Sequence, residues 1–161
     1  MRSLTGLFCG AGLCVVVLIG MRYDATSSAA WTASAAPVAD GDVVPVEESM
    51  HEFMEYVFQP TYKRLKVSMA AAPADNAGWK AIKADSLVLA ESCNLLLGRK
   101  PDENAADWVK HAEASRTDGA ALYKAAKEKN FDAASTAYKS MLNNCNACHK
   151  QFEEGRHILQ P

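Results

Sequence analysis

Apolar side chains recur at intervals of three and four residues in four separate segments of the chain, and no segment shows a sustained alternation of apolar and polar positions. The pattern therefore predicts helices and no strands. The predicted helices cover residues 47–72, 77–97, 103–129 and 132–154. Each helix alone would leave an apolar stripe exposed, whereas four stripes turned inward bury one core. Because the connections are short, we expect an all-α protein in the form of an antiparallel four-helix bundle.

Proline and glycine mark the ends and irregularities of these helices. Pro60 lies inside the first predicted helix and should kink it, while Pro73 should end it. Gly98 and Gly155 follow the second and fourth helices, where glycine is common as a C-terminal cap. Gly119 lies inside the third helix and should weaken it by up to about 1 kcal/mol relative to alanine.

An uninterrupted apolar run, LFCGAGLCVVVLIGM at residues 7–21, stands near the N-terminus and is followed by small residues. The run is shorter than the about 20 residues that span a bilayer. Residues 1–35 are therefore predicted to be a secretory signal peptide, with a short uncleaved anchor as the alternative. Residues 36–46 are predicted to be a flexible tether, followed by the helical domain, residues 47–156, and a tail, residues 157–161. We expect an exported, periplasmic protein that is held at a membrane only if the leader stays uncleaved.

The composition narrows the class of function. The hydrophobic fraction of 49% and the charged fraction of 22% are those of a globular protein. The formal net charge is -2, so no basic excess suggests nucleic acid as a partner. Removal of the leader leaves three cysteines, Cys93, Cys145 and Cys148, which are too few for a disulfide framework. No nucleophile–base pair or paired-carboxylate cleft stands out, and we therefore expect no enzyme.

The sequence NNCNACHKQF, residues 143–152, combines two cysteines with a histidine. Covalent haem attachment requires two thiols for the vinyl groups and an imidazole that reaches the iron, and Cys145, Cys148 and His149 share one helix face. A zinc site needs four ligands, so side chains such as Cys93 and His111 would have to converge on the motif. A redox dithiol usually stands at a helix N-terminus, whereas this motif lies late in its helix. The motif favours one covalent haem c per chain, with zinc and a dithiol as open alternatives.

A motif of this kind on the last of four helices resembles the class II c-type cytochromes, cytochrome c-prime and its low-spin relatives. The resemblance is carried by FDAASTAYKSMLNNCNACHKQF, residues 131–152, and extends over residues 47–155. It implies that Cys145 and Cys148 form the haem thioethers and that His149 is the proximal iron ligand. It also implies that the protein carries single electrons between redox partner proteins.

The resemblance further places the distal ligand position on the first helix, near Met54. A methionine there completes the coordination in the low-spin relatives, and a Met/His pair raises the reduction potential. Met50, one turn earlier, and His51 are alternatives to Met54. An open distal site would instead imply a high-spin haem protein that binds nitric oxide or carbon monoxide. Dimers are common in the family, so a homodimer is an open alternative.

Several other residues that invite a functional interpretation are expected to be structural. Cys93 is predicted to be a buried free thiol, Trp79 and Trp108 to be core residues, and His111 to be a surface or hydrogen-bonded histidine. Candidates for hydrogen bonds to a haem propionate are Tyr56, Tyr62 and Tyr138. His157, in the tail, has no predicted role.

Overall fold

The computed structural model describes residues 44–161, and within that range it is all-helical, with four helices and no strand. The first helix is continuous and consists of three segments, α1 (Met50–Phe53), a π-helical segment (Met54–Phe58) and α2 (Gln59–Ser68). The other three are α3 (Asn76–Leu97), α4 (Ala105–Lys127) and α5 (Phe131–Phe152). The prediction of an all-α protein with four helices is therefore confirmed.

The predicted leader, residues 1–35, and most of the predicted tether lie outside the described residues. Only residues 44–46 of the tether are described, and the side chains of Val44 and Val46 are exposed. Among residues 44–161, no helix has the length and the apolar character needed to cross a membrane.

Polar side chains determine where three of the helices begin. The side-chain oxygens of Ser49, Asp75 and Asn130 each accept a hydrogen bond from the backbone N–H three residues later, at 3.3, 2.9 and 3.0 Å respectively. Each bond satisfies a free N–H group of the first helical turn, which contributes about 1 kcal/mol of stability. Because Ser49 is such a cap, the first helix begins at Met50 rather than at residue 47. It ends at Ser68 rather than at residue 72.

A π-helical turn lies immediately before Pro60, the position at which the sequence predicts a kink. Pro60 has no N–H, and its ring clashes with a Tyr56 carbonyl held in the regular α-helical position. The N–H of Gln59 bonds instead to the carbonyl of Met54, in the wider spacing of a π-helix. The helix is consequently widened at the residue that the sequence nominates as distal ligand.

Each helix packs on its neighbour in the chain. α3 and α4 approach closely at Gly119, where an added Cβ would lie 3.0 Å from the Cβ of Ala90. Gly119 therefore permits the close packing of two helices, besides any weakening of α4. In the described part of the chain, no Cα of the first helix lies within 8 Å of a Cα of α5. The first and last helices thus border a gap.

The buried apolar side chains form two clusters, one toward each end of the helices. The first cluster contains Leu65, Met69, Trp79, Ile82, Leu89, Leu122, Ala125, Ala126, Ala134, Tyr138, Met141 and Leu142. The second contains Phe53, Leu96, Trp108 and Ala112. Both predicted core tryptophans are therefore buried, each in a different cluster.

Candidate functional site

A cavity of about 470 Å³ lies at the gap between the first helix and α5. Met50 and Met54 line it from the first helix, and Cys145, Cys148 and His149 line it from α5. Its walls are mostly apolar, and its volume is within the roughly 300–1,000 Å³ of small-molecule and cofactor pockets. The residues nominated by the sequence for a haem site therefore meet at one cavity.

The two thiols of the motif are largely removed from water. The Cys145 thiol lies 3.8 Å from the hydroxyl oxygen of Ser115 on α4, and Cys148 packs against the cluster around Phe53. Burial raises the pKa of Cys148 to about 11 and also raises the pKa of Cys145. Both groups are therefore protonated near neutral pH. A redox dithiol requires a lowered thiol pKa, so this environment does not favour that alternative.

One ring nitrogen of His149 is hydrogen-bonded to a backbone carbonyl. Nδ1 lies 2.8 Å from the carbonyl oxygen of His157, and because a carbonyl only accepts, Nδ1 carries the proton. Burial lowers the pKa of His149, while the hydrogen bond to His157 acts in the opposite direction. The neutral ring leaves Nε2 with a free lone pair. A histidine whose other nitrogen donates to a carbonyl in this way is typical of metal sites.

The chain after α5 contributes to the site, which no sequence pattern predicts. Glu154 and Gly155 have positive φ angles of 53° and 74°, and they turn the chain back. His157, Ile158 and Leu159 then line the cavity. Gly155 signals the turn, because glycine adopts positive φ without strain. The sequence carries no corresponding signal for the destination of the tail.

The first helix brings all three candidate distal ligands to the cavity. Met50 and Met54 are partly buried and pack against the cluster that contains Phe53. His51 is exposed, and its Nε2 lies 3.2 Å from a carboxylate oxygen of Glu55. Met54 also begins the π-helical segment. The methionines therefore offer a soft sulfur ligand from an apolar wall, whereas the histidine already has a polar neighbour.

Cys93 on α3 and His111 on α4 also line the cavity. Cys93 is a free thiol, 4% exposed, and burial raises its pKa to about 12. The prediction of a buried free thiol is therefore confirmed. Nε2 of His111 lies 3.0 Å from the side-chain oxygen of Gln151, as expected for a hydrogen-bonded histidine. Within residues 44–161, no three His, Cys, Asp or Glu side chains are grouped to hold a metal ion.

The three candidate tyrosines differ in their position relative to the cavity. Tyr62 lines it, and the Tyr62 hydroxyl bonds to the backbone of Gln160. Tyr138 is buried, and its hydroxyl has no hydrogen-bond partner among the described residues. Tyr56 is exposed. Tyr62 is thus the one of the three that the fold brings to the cavity wall.

The set of side chains at the cavity fits the requirements of a covalently attached haem. Two thiols one helical turn apart, a neutral imidazole with a free Nε2 and a thioether sulfur line one mostly apolar space. The sequence matches no protein-family model, and a search of curated proteins finds no match either. The chemistry of the cavity is thus the basis for a functional assignment.

Proposed function

We propose that this chain is an exported monohaem c-type cytochrome that carries single electrons between redox partner proteins. In this proposal the four helices form an antiparallel bundle, and one haem c occupies the cavity between the first helix and α5. The observation that carries the proposal is the convergence of Met54, Cys145, Cys148 and His149 on that cavity. Met54 and the motif lie near opposite ends of the domain sequence, so the spacing of the motif alone does not require this convergence.

The chain's own residues hold and orient the cofactor. Cys145 and Cys148 would form thioether bonds with the two vinyl groups of the haem, and His149 would present Nε2 to the iron. The carbonyl of His157 fixes the tautomer and the orientation of the imidazole. A bound haem c supplies a one-electron iron couple. The packed helices limit rearrangement around the cofactor, which favours fast electron transfer.

Met54 is the proposed distal ligand, with Met50 as the alternative. A thioether ligand opposite a histidine raises the reduction potential. The π-helical turn that begins at Met54 supports this assignment, because such turns occur frequently at functional sites. An open distal position would instead favour the alternative function, which is the binding of nitric oxide or carbon monoxide.

The proposed location and partners follow from the leader and the charge of the chain. The predicted signal peptide agrees with a c-type cytochrome, because covalent haem is attached outside the bacterial cytoplasm. A net charge of -2 gives no basis for a nucleic acid partner. Other redox proteins are therefore the proposed partners.

The proposal is tested with protein produced together with a haem-attachment system. The intact mass should exceed that of the polypeptide by one haem, and this increase should be lost when both Cys145 and Cys148 are changed to serine. The ferric wild type should show the weak far-red band of methionine-ligated haem. We expect the band to disappear in Met54→Ala and to persist in Met50→Ala.

Two results would change the assignment. A high-spin wild-type spectrum with ready carbon monoxide binding would establish the gas-binding alternative. Protein that carries no covalent haem would refute both functions and return zinc and a dithiol to consideration.

A further inference from the structure

The tail, taken together with Arg156 as residues 156–161, folds back onto the cavity instead of continuing the direction of α5. The reversal is fixed by the positive φ angles of Glu154 and Gly155 and by a 3.0 Å hydrogen bond from the Gly155 N–H to the His149 carbonyl. Leu159 packs against the larger of the two core clusters. The tail is therefore part of the folded domain.

Two side chains of α5 bind the backbone of the tail. The side-chain oxygen of Asn146 accepts the Leu159 N–H at 2.7 Å, and the side-chain nitrogen of Asn146 donates to the Leu159 carbonyl at 3.0 Å. His149 adds the bond from Nδ1 to the carbonyl of His157 at 2.8 Å. The reciprocal pair at Asn146 fixes both the position and the direction of the tail.

A side chain of the first helix binds the next residue of the tail in the same reciprocal way. The Tyr62 hydroxyl accepts the Gln160 N–H at 3.0 Å and donates to the Gln160 carbonyl at 2.6 Å. Consecutive tail residues are thus bound to two different helices. The pairing of Tyr62 with Gln160 is not a local contact, because the two residues lie at opposite ends of the domain sequence.

The tail bridges two helices whose backbones do not otherwise meet. Within residues 44–161, no Cα of the first helix lies within 8 Å of a Cα of α5. Tyr62 follows Met54 along the same continuous helix, and Asn146 precedes His149 by about one turn of α5. The two anchors of the tail are therefore on the two helices that carry the proposed iron ligands, Met54 and His149.

We propose that residues 156–161 are a strap that sets the separation of these two helices and thereby keeps Met54 and His149 in position to ligate one iron. The inference rests on the proposed function. Tyr62 and Asn146 act as positioning residues, because they hold the strap and are not themselves ligands.

The physical reason is that an iron site built from two helices tolerates only small errors in the positions of its ligands. A ligand that moves by about 1 Å is poorly placed. Without the strap, the first helix and α5 meet only through side chains in the two core clusters, since their Cα atoms are not within 8 Å and each packs directly on a neighbouring helix instead. The strap adds a direct constraint across the gap, and His157 within it also orients the proximal imidazole.

The test uses the haem-loaded protein and carbon monoxide as the probe, because carbon monoxide would have to displace Met54 if Met54 ligates the ferrous iron. Tyr62→Phe and Asn146→Ala should each raise the carbon monoxide affinity by roughly tenfold or more, the scale on which supporting residues act at metal sites. Tyr56→Phe and Asn143→Ala are matched controls, because both residues are exposed and lie on the same helices. The controls should leave the affinity unchanged.

A second measurement reports the strap itself. Hydrogen exchange at the amides of Leu159 and Gln160 should accelerate in the two strap variants and not in the controls. A chain that stops after Gly155 should reproduce the increase in carbon monoxide affinity. Tyr62→Phe retains the aromatic ring, so it keeps the test decisive if the shortened chain does not fold.

The outcomes separate the strap from the function on which it rests. Haem-loaded strap variants with unchanged carbon monoxide affinity would overturn the strap and leave the cytochrome assignment intact. A wild type that binds carbon monoxide as tightly as Met54→Ala would also overturn the strap, because there would be no distal ligand to hold. An intact mass without haem would refute the proposed function first, and the strap's role with it.

Discussion

The close approach of α3 and α4 makes a specific prediction about Gly119→Ala. Alanine is favoured over glycine inside a helix by about 1 kcal/mol, so helix propensity alone predicts stabilisation. The added Cβ, however, would lie 3.0 Å from the Cβ and 3.3 Å from the Cα of Ala90. Carbon pairs prefer separations of about 3.5–4.0 Å, so the two helices must move apart. Overpacking of this kind costs about 1–3 kcal/mol.

The two contributions oppose each other, and the larger one decides the sign. We expect Gly119→Ala to lower the free energy of unfolding by up to about 2 kcal/mol, because the clash exceeds the gain in propensity. The companion variant Ala90→Gly removes the methyl group that the new Cβ meets. In the double variant the alanine and glycine have exchanged places, so its stability should lie above the sum of the two single effects by about 1 kcal/mol or more.

The assay is urea unfolding followed by far-ultraviolet circular dichroism for the wild type and the three variants. The slope of the unfolding free energy against urea concentration should be the same in all four proteins, so that a shift of the unfolding midpoint reports a change in stability. A Gly119→Ala protein that is stabilised by the full propensity of about 1 kcal/mol would refute the argument. Additivity of the two single variants within about 0.5 kcal/mol would refute it as well.

Three further predictions follow from helix capping, burial and the cavity. Asn130→Ala should destabilise the protein by about 1 kcal/mol in the same urea assay, because it removes the cap of α5 at the Ala133 N–H; no change would contradict the cap. Burial raises the pKa of Cys93 from 9.0 to about 12, so its alkylation at pH 8 should be about 1,000-fold slower in the native than in the unfolded protein. Peptide mass mapping measures the two alkylation rates, and similar rates would contradict the burial of Cys93. Replacement of Cys145 and Cys148 by serine should lower the melting temperature by at least about 10 °C relative to the haem-loaded protein, because the cavity loses its attached occupant; equal melting temperatures would contradict the fit.

The helices could be predicted from the sequence because their cause is local. The three- and four-residue spacing of apolar side chains arises wherever a helix buries one face. Accordingly, α3, α4 and α5 fall close to the predicted ranges. The first helix is shorter than predicted at both ends, since Ser49 caps its start and apolar spacing does not report caps. Pro60 signalled an irregularity, but the choice of a π-helical turn over a kink depends on how the preceding carbonyls are satisfied.

The site could be predicted only in part, for a corresponding reason. Cys145, Cys148 and His149 share a helix face by spacing alone, so their proximity is local. The gap between the first helix and α5 is a feature of the tertiary structure, and no residue in either helix indicates it in the sequence. The tail depends on pairings such as Tyr62 with Gln160, which no short motif encodes. Gly119 shows the same limit. Helix propensity indicates only that glycine weakens α4 at this position, whereas the packing against Ala90 requires a glycine there.

The cavity itself connects these irregular features. An enclosed void of about 470 Å³ would cost about 11 kcal/mol at about 24 cal/mol per Å³, which is as large as the 5–15 kcal/mol net stability of a typical domain. The cavity is partly open to solvent, so this figure is an upper limit. The side chains around it do not close it. The π-helical turn, the gap and the tail all border this one space, and departures from local rules that cluster in this way are expected where a protein holds a ligand. The thiols, imidazole and thioether on the wall are the basis for the proposal that this ligand is a covalently attached haem.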